Sequence, residues 1–276
     1  MSSLSPKKKL FYSLGLLCYV FSAPSLFGQD DWIDYVTMKE KGVMSISIDL
    51  SLDLVKPNYK NMLIVGGQFQ DCYKNGFPHK EALESLFAFS DSTAATINKI
   101  TDNRLTAFMT YQCMGFDVFY VKDTVGLRTA LTKMLEANFP ANRPYVKISR
   151  DKSWGYYRNY LYPRDFSAEY LIDHDYLHDL VLQGDDLLGQ RKVYHWLYFK
   201  NVEKRNLFGK KMKNLNFSLD SIAYRKNNTL PYQLTISRQD SIDPLNVYKL
   251  TSMLRGLSGS MNGQYDGWST EVILKE

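Results

Sequence analysis

The strongest constraint on the fold is the order of strand-like and helix-like segments between residues 192 and 274. The strand-like segments alternate apolar and polar residues, whereas the helix-like segments repeat apolar residues at intervals of three and four. In order, the six segments are residues 192–199, 202–215, 217–225, 231–237, 243–261 and 265–274. The resulting order, β-α-β-β-α-β, is that of a split β-α-β unit and predicts a ferredoxin-like domain over residues 190–276.

Residues 31–163 show an earlier succession of such segments, in the order β-β-β-α-β-β-α-β. Gly76–Phe77–Pro78 breaks the chain before the first helix of this region, and Ser90–Asp91–Ser92 could interrupt that helix. Between the two regions, residues 164–188 have the periodicity of a helical connector that ends at Gly184. The sequence therefore predicts an α+β protein of two domains, the first a mixed sheet with its helices on one face.

Composition limits the partners of the chain. The 276 residues are 45% hydrophobic and 23% charged, as is typical of a globular protein, and 14% aromatic, which favours sheets. The formal net charge is +5, but residues 1–29 contain Lys7–Lys9 and no acidic residue. The remaining 31 basic and 29 acidic residues give +2. Net charge therefore gives no argument for binding nucleic acid, and no DNA partner is expected.

Residues 1–29 have the layout of a secretory signal peptide. Lys7–Lys9 form a positive segment, Leu10–Phe21 form an apolar one, and a cleavage region ends near Gly28 and Gln29. This pattern predicts export to the periplasm or out of the cell. An uncleaved membrane anchor is the alternative, although the apolar run is shorter than the ~20 residues that span a bilayer. No other stretch of about 18 apolar residues occurs, so no transmembrane segment is expected after cleavage.

The three cysteines raise separate questions. Cys18 would need small residues before it to carry a lipid, and Leu16 and Leu17 stand there instead, so a lipoprotein is not expected. Cys72 and Cys113 are the pair left after signal removal, in what would be an oxidising compartment. They could form a disulfide or remain two buried free thiols, since one pair does not make a disulfide framework.

One helix-like stretch carries a candidate metal site. His174 and His178 are four residues apart, which places both on one helical face, and Asp173, Asp175 and Asp179 stand beside them. The alternative is an ordinary polar helix surface, because the stretch lacks the glutamate of a metalloprotease motif. His174 and His178 are kept as the candidate ligands, while no metal site or cofactor is predicted.

Motifs of catalysis are missing from the sequence. No Gly-x-Ser-x-Gly, active-site cysteine context or phosphate-binding loop occurs, and Gly66–Gly67 is not followed by Lys and Ser or Thr. His195 alternates with its strand neighbours and is interpreted as a packed histidine instead of an acid or base. No catalytic residue is therefore predicted, and a non-enzymatic protein is favoured.

A run of basic residues follows the first strand of the second domain. Its members are Lys200, Lys204, Arg205, Lys210, Lys211 and Lys213. A basic helix face near tyrosines could meet RNA or an acidic membrane surface. The alternative is a solvated helix face whose charge is balanced elsewhere.

A short motif near the C-terminus carries a family resemblance. Asp266–Gly267 supplies a turn, and Tyr265 and Trp268 flank it at the start of the closing strand. These residues resemble the last strand of the regulator of ribonuclease E activity B family, which implies a ribonuclease as a binding partner. The motif itself is either a partner-binding edge or a clamp in the core, since Tyr and Trp bury large areas.

Three stretches of the first region are similar to a second family. They are Phe116–Asp123, Gly76–Pro78 and Trp154–Pro163. Together they resemble Domain of Unknown Function 695 over residues 31–163. This resemblance implies no activity, but that family is often followed by a region similar to the ribonuclease E regulator.

Three hypotheses on function follow. The first is an exported, non-enzymatic module that binds a protein partner of unknown identity. The second, implied by the resemblance, is an inhibitor of a ribonuclease or RNA-processing protein, comparable to an immunity protein. The third is an unrecognised metal-dependent hydrolase.

Overall fold

The computed structural model describes residues 32–53, 58–163, 165 and 167–275. These residues form two β-sheets and five α-helices, which confirms the predicted α+β class. The predicted signal segment, residues 1–29, lies outside the described residues. Within the described ranges, no helix combines the length and apolar character needed to cross a membrane.

The first sheet has six strands, and every neighbouring pair in it is antiparallel. The strands are β1 (Trp32–Lys39), β2 (Gly42–Asp49), β3 (Asn61–Gln68), β4 (Asn103–Tyr111), β5 (Met114–Val121) and β6 (Tyr145–Arg150). Their order across the sheet is β1-β2-β4-β5-β3-β6. A mixed sheet was expected. The pairing is antiparallel instead because each helical connection, β3 to β4 and β5 to β6, spans an intervening strand of opposite direction.

Helices cover one face of this sheet, and an aromatic segment covers the other. The helices α1 (Lys80–Asn98) and α2 (Leu127–Asn138) pack apolar side chains against β3 and β5. On the opposite face, Trp154 and the π-helical turn Tyr157–Leu161 are buried against the sheet. Two short 3-10 turns, Leu50–Asp53 and Pro140–Asn142, complete this region. The predicted placement of the helices on one face agrees with these contacts.

The first helix continues through the stretch where an interruption was expected. Ser90 is buried in α1, and its hydroxyl donates a 2.8 Å hydrogen bond to Asp117 Oδ1 on β5. Burial raises the pKa of Asp117 to about 7, although this hydrogen bond acts in the opposite direction. Ser90 therefore bonds to the sheet instead of competing for the backbone of its own helix, so the helix is not broken.

The second sheet has four strands, also antiparallel, in the order β10-β7-β9-β8. The strands are β7 (Arg191–Phe199), β8 (Ser218–Tyr224), β9 (Tyr232–Asp240) and β10 (Gly263–Ser269). The helices α4 (Val202–Lys213) and α5 (Pro244–Gly259) pack on one face, over a core that includes Phe208, Leu234 and Leu254. The element order β-α-β-β-α-β is the predicted one, and the strand order is compatible with a ferredoxin-like fold.

The closing strand is shorter than predicted. β10 ends at Ser269 instead of Leu274. Beyond Ser269 the chain turns toward the loop before β7, where the Ile273 carbonyl accepts a 2.7 Å hydrogen bond from Asp186 N, and Asp185 forms an isolated bridge with Leu274. The alternating pattern of residues 270–274 therefore reflects a loop contact and not a continued ladder.

The predicted connector is a core element. The helix α3 (Ala168–Leu182) buries Leu177 and Val181 in one cluster with Val36 of β1 and Trp268 of β10. The described residues from Trp32 onward accordingly form one unit by their contacts. The domain boundaries drawn from the sequence stay a prediction, but α3 links the two sheets through buried apolar side chains.

Candidate functional site

The C-terminal motif meets α3 at a buried carboxylate. Asp173 is 3% exposed, and its Oδ1 accepts a 2.9 Å hydrogen bond from Trp268 Nε1. Its Oδ2 accepts a 2.7 Å hydrogen bond from Thr251 Oγ1 and pairs with Arg255 Nη2 at 2.9 Å. One side chain of α3 thus satisfies polar groups of both α5 and β10, which fixes three sequence-distant elements at one point.

The tyrosine of the motif bonds to a buried histidine. The Tyr265 hydroxyl lies 2.9 Å from His195 Nδ1. Burial lowers the pKa of His195 to about 3, and the nearby Arg238 acts in the same direction. Burial also raises the pKa of Tyr265 above its ordinary value. Both groups are therefore neutral at physiological pH, as expected for the packed histidine that the sequence indicated.

A β-bulge turns both aromatic residues of the motif inward. Tyr265 and Trp268 are three positions apart, so in a regular strand they would face opposite sides. The register against β7 shifts between Tyr265 and Gly267, and Gly267 has a φ of +130°, which other residues rarely adopt. Asp266 stays exposed. These contacts favour the core clamp over the partner-binding edge for Tyr265 and Trp268.

A cavity of about 310 Å³ lies between α5 and the strands β7 and β9. Its lining includes His195, Arg238, Asp240 and Thr251. Arg238 and Asp240 form an ion pair at 2.9 Å, and the Thr251 hydroxyl already donates to Asp173. The buried Nε2 of His195 has no hydrogen-bond partner in the described part of the chain. The cavity thus presents polar groups, among them the Ser241 hydroxyl, which donates a 3.2 Å hydrogen bond to Asp243 Oδ2.

The two candidate metal ligands lie in different surroundings. His174 is buried, and its Nδ1 accepts a 3.2 Å hydrogen bond from the backbone N–H of Val36 on β1. His178 Nδ1 lies 3.4 Å from Ser45 Oγ and 3.9 Å from an oxygen of Asp34. Burial lowers the pKa of His174 to about 4. Across the described ranges, no three histidine, cysteine or acidic side chains come together in a way that could hold a metal ion.

The two remaining cysteines are joined. Cys72 and Cys113 form a disulfide, with a Cα–Cα distance of 5.9 Å. Cys113 lies in the turn between β4 and β5, and its backbone N–H donates a 2.7 Å hydrogen bond to the Gly76 carbonyl. Of the two alternatives left open by the sequence, the structure contains the disulfide, which ties the loop before α1 to this turn.

The basic run lies on α4 and continues around β8. Residues 200–226 contain eight basic and two acidic residues, a net charge of +6, while the whole chain carries +5. Arg205 is buried, with its guanidinium carbon 5.8 Å from the ring centre of Tyr232. The exposed lysines of α4 are Lys204, Lys210, Lys211 and Lys213. The positive charge of the protein is therefore concentrated at one side of the second sheet.

The sequence indicated the strand β8 but not its position at an edge. β8 is the outermost strand of the second sheet, next to β9. Leu219, Ile222 and Tyr224 on this strand are 37%, 62% and 62% exposed. Their spacing does not alternate because the register shifts between Leu219 and Ser221. A bulge is recognised only from the pairing of two strands, so the sequence alone did not predict the exposed apolar face of β8.

Two family models match the chain, in the predicted order. Residues 30–162 match the Family of unknown function (DUF695), and residues 165–270 match Regulator of ribonuclease activity B. Both predicted resemblances are confirmed. The second match, which defines the regulator segment of the chain, includes α3 with Asp173 and His174.

Comparison with solved structures adds little. A protein described as a glycine cleavage system transcriptional repressor is 8% identical, with 78% of this chain and 100% of that chain covered and a TM-score of 0.24. An unknown protein from Galdieria sulphuraria is 7% identical, with 77% and 99% covered and a TM-score of 0.21. At these TM-scores neither likeness bears on fold or function. No curated protein matches the chain.

Proposed function

We propose that this chain is an exported, non-enzymatic regulator that acts by binding a protein partner, with a ribonuclease or another RNA-processing protein as the partner class. The observation that carries this proposal is the match of residues 165–270 to Regulator of ribonuclease activity B. A fold can host many functions. The partner class is therefore inferred from the family match, and the contact has to be inferred from the surface.

The contacts of the polar residues support a binding role. Two side chains of the candidate metal stretch are engaged in holding the fold: Asp173 bonds to Trp268 and Thr251, and His174 accepts from the backbone of β1. By contrast, β8 and the lysines of α4 are exposed. Asp173 and His174 thus serve stability, while the exposed edge and helix face are available to a partner.

Two features support export. Residues 1–29 have the pattern of a signal peptide. The Cys72–Cys113 disulfide is of a kind that persists in oxidising compartments and is rare in the cytosol.

Export is tested by fractionation of the source cells followed by N-terminal sequencing of the protein. We expect a mature N-terminus near Gln29 in the periplasmic or extracellular fraction; a cytosolic protein that begins at Met1 would overturn this part of the proposal.

The regulatory part is tested with the mature chain and the ribonucleases of the same compartment. Purified chain is added to a periplasmic extract, and the initial rate of cleavage of a fluorogenic RNA is measured. We expect the rate to fall as chain is added and a ribonuclease to be retained on immobilised chain, whereas an equal amount of serum albumin has no effect. An unchanged rate together with no retained ribonuclease would rule out this partner class.

A further inference from the structure

The outer edge of β8 is free to accept another strand. β8 pairs with β9 on one side, and no described strand pairs with its other side. An edge strand presents unpaired N–H and C=O groups, and proteins commonly protect such edges with charges, prolines or a covering element. β8 has no proline and carries one charged residue, Asp220, which pairs with Lys192 at 2.7 Å.

The exposed apolar side chains of β8 lie on the side of the sheet that holds α4. Ile222 is directly opposite Leu234, and Tyr224 is opposite Tyr232, so each pair shares a face. Leu234 is buried in the core beneath α4. Ile222 and Tyr224 therefore extend this apolar face outward, past the helix, to the sheet edge.

The charge beside this edge is positive. Gly209 of α4 lies against Leu219, since a Cβ at that glycine would be 3.3 Å from Leu219 Cδ1. Lys213 is one helical turn later on the same side of α4, and Lys210 follows Gly209 directly. Arg225 and Lys226, both exposed, follow the last residue of β8. A segment that lies along β8 would thus have lysines or arginines near both its ends.

We propose that β8 binds an extended, acidic segment of the protein partner by β-strand addition. This inference rests on the proposed function, because it names the contact through which the regulator binds. In a strand, alternate side chains face the same way. Apolar side chains at every second position of the partner segment pack on Ile222 and Tyr224. The acidic side chains between them point to the opposite face of the sheet, where Arg225 bonds to Gln233. Acidic side chains at the ends of the segment meet Lys210, Lys213 or Lys226.

Two other occupants fit the surface less well. A second copy of this chain, paired β8 to β8, would bring two regions of net charge +6 together and would be repelled. RNA would use the lysines and the exposed ring of Tyr224, but it would leave the backbone edge and the aliphatic Ile222 without a matching contact. An acidic polypeptide uses the backbone edge, the apolar side chains and the charge together.

The experiment uses the mature chain and short labelled peptides of seven residues, the length of β8. One peptide alternates valine with glutamate, and its control alternates valine with lysine. Binding is measured by fluorescence anisotropy, and the contact is located by hydrogen–deuterium exchange. We expect the valine–glutamate peptide to bind and to protect β8, with affinity falling as salt is added. The valine–lysine peptide should neither bind nor protect.

Matched variants separate the edge from other exposed apolar residues. The Ile222→Glu/Tyr224→Glu variant should weaken binding of the valine–glutamate peptide by about tenfold or more, since it removes the apolar contact and adds like charge. The control is Leu245→Glu on α5, where the side chain is 58% exposed, and it should bind as the unmodified chain does. Thermal melting of each variant shows that it is folded. Equal binding by the double variant would overturn the proposal, and so would protection of residues other than β8.

Three further outcomes are distinguishable. If oligouridylate protects β8 and the valine–glutamate peptide does not, the surface binds RNA and the proposed strand addition is wrong. If the chain inhibits a ribonuclease equally well with and without the double substitution, the proposed function stands and the β8 contact fails. If the peptide binds at β8 but no ribonuclease is inhibited or retained, the contact stands and the ribonuclease class fails.

Discussion

The edge strands β1 and β8 differ in whether the described residues cover their outer edges. At β1, the backbone N–H of Val36 donates to the buried His174, and α3 packs over the strand. At β8, the described residues place no strand on the outer edge, and Ile222 and Tyr224 are each 62% exposed. Unprotected edges promote unwanted pairing, and the proposed strand addition gives the open edge of β8 a use that β1 does not need.

The contact between His174 and β1 also connects the two segments that match family models. β1 belongs to the DUF695 segment, whereas His174 belongs to the regulator segment. The regulator segment therefore closes the edge of its neighbour while leaving its own edge open. Substitutions at the closed side are expected to have the largest effects on stability.

Replacement of the buried carboxylate should be the most destabilising change. Asp173→Ala removes the acceptor of Trp268 Nε1, the nearer of two acceptors of Thr251 Oγ1, and the carboxylate that pairs with Arg255. We expect a loss of about 3–5 kcal/mol in the free energy of unfolding, measured by urea denaturation, because the buried Trp268 N–H loses its acceptor and Arg255, whose side chain is 23% exposed, loses its ion-pair partner. Asp175→Ala, at an exposed position of the same helix, is the control and should change stability little. A loss below about 1 kcal/mol for Asp173→Ala would show that α3 is held mainly by its apolar contacts.

Removal of the disulfide should cost somewhat less. Cys72 and Cys113 are separated by 41 residues, and closing a loop of that length restricts the unfolded chain. We expect the Cys72→Ser/Cys113→Ser variant to lose about 2–4 kcal/mol in the free energy of unfolding. Reductant should lower the stability of the unmodified chain to a similar value and leave the variant unchanged. If reductant has no effect on the unmodified chain, the two thiols are not paired.

The closed edge should be sensitive to acid. The folded-state pKa of His174 is lowered to about 4 from its ordinary value of 6.5, so between these pH values the unfolded state binds the extra proton. Stability from this group is therefore present above pH 6.5 and is lost as the pH falls toward 4. The loss should reach about 2–3 kcal/mol near the lower limit.

The test of this acid sensitivity is a comparison with His174→Asn, which keeps an acceptor oxygen near the position of Nδ1 but does not titrate. Unfolding free energies of both proteins are measured from pH 7 to pH 4. Other groups, including Asp117 and His195, titrate equally in both proteins, so the difference isolates His174. Parallel pH profiles would mean that His174 does not hold β1 as a neutral acceptor.

Periodicity and turn residues were sufficient to predict the order of elements, because those signals are local. Contacts between distant residues were not predictable in the same way. Asp173 and Trp268 are 95 positions apart, and no local pattern around either residue indicates that the two are in contact. The i, i+4 spacing of His174 and His178 correctly placed them on a helix, but α3 packs on β1 and uses His174 as a hydrogen-bond acceptor there. The edge strands of a sheet depend on how the strands pair, and the residue pattern of one strand does not specify its partners.

The smallest effect is expected from one matched substitution on the two edges. Val36→Thr on β1 places a hydroxyl at a position that is 1% exposed, and it should cost about 1–2 kcal/mol. Ile222→Thr on β8 changes a mostly exposed side chain and should stay within about 0.5 kcal/mol. Urea denaturation of both variants makes the comparison. A cost at Ile222 equal to that at Val36 would mean that β8 is covered in the folded protein.

Amide hydrogen exchange, read residue by residue by NMR in the isolated mature chain, compares the two edges most directly. Val36 N–H, which has His174 as its acceptor, should be protected nearly as well as the amides between β1 and β2. The amides of β8 that point away from β9 should exchange at rates close to those of an unstructured chain. Protection of those β8 amides equal to that of Val36 would contradict the account, since both edges would then already be closed.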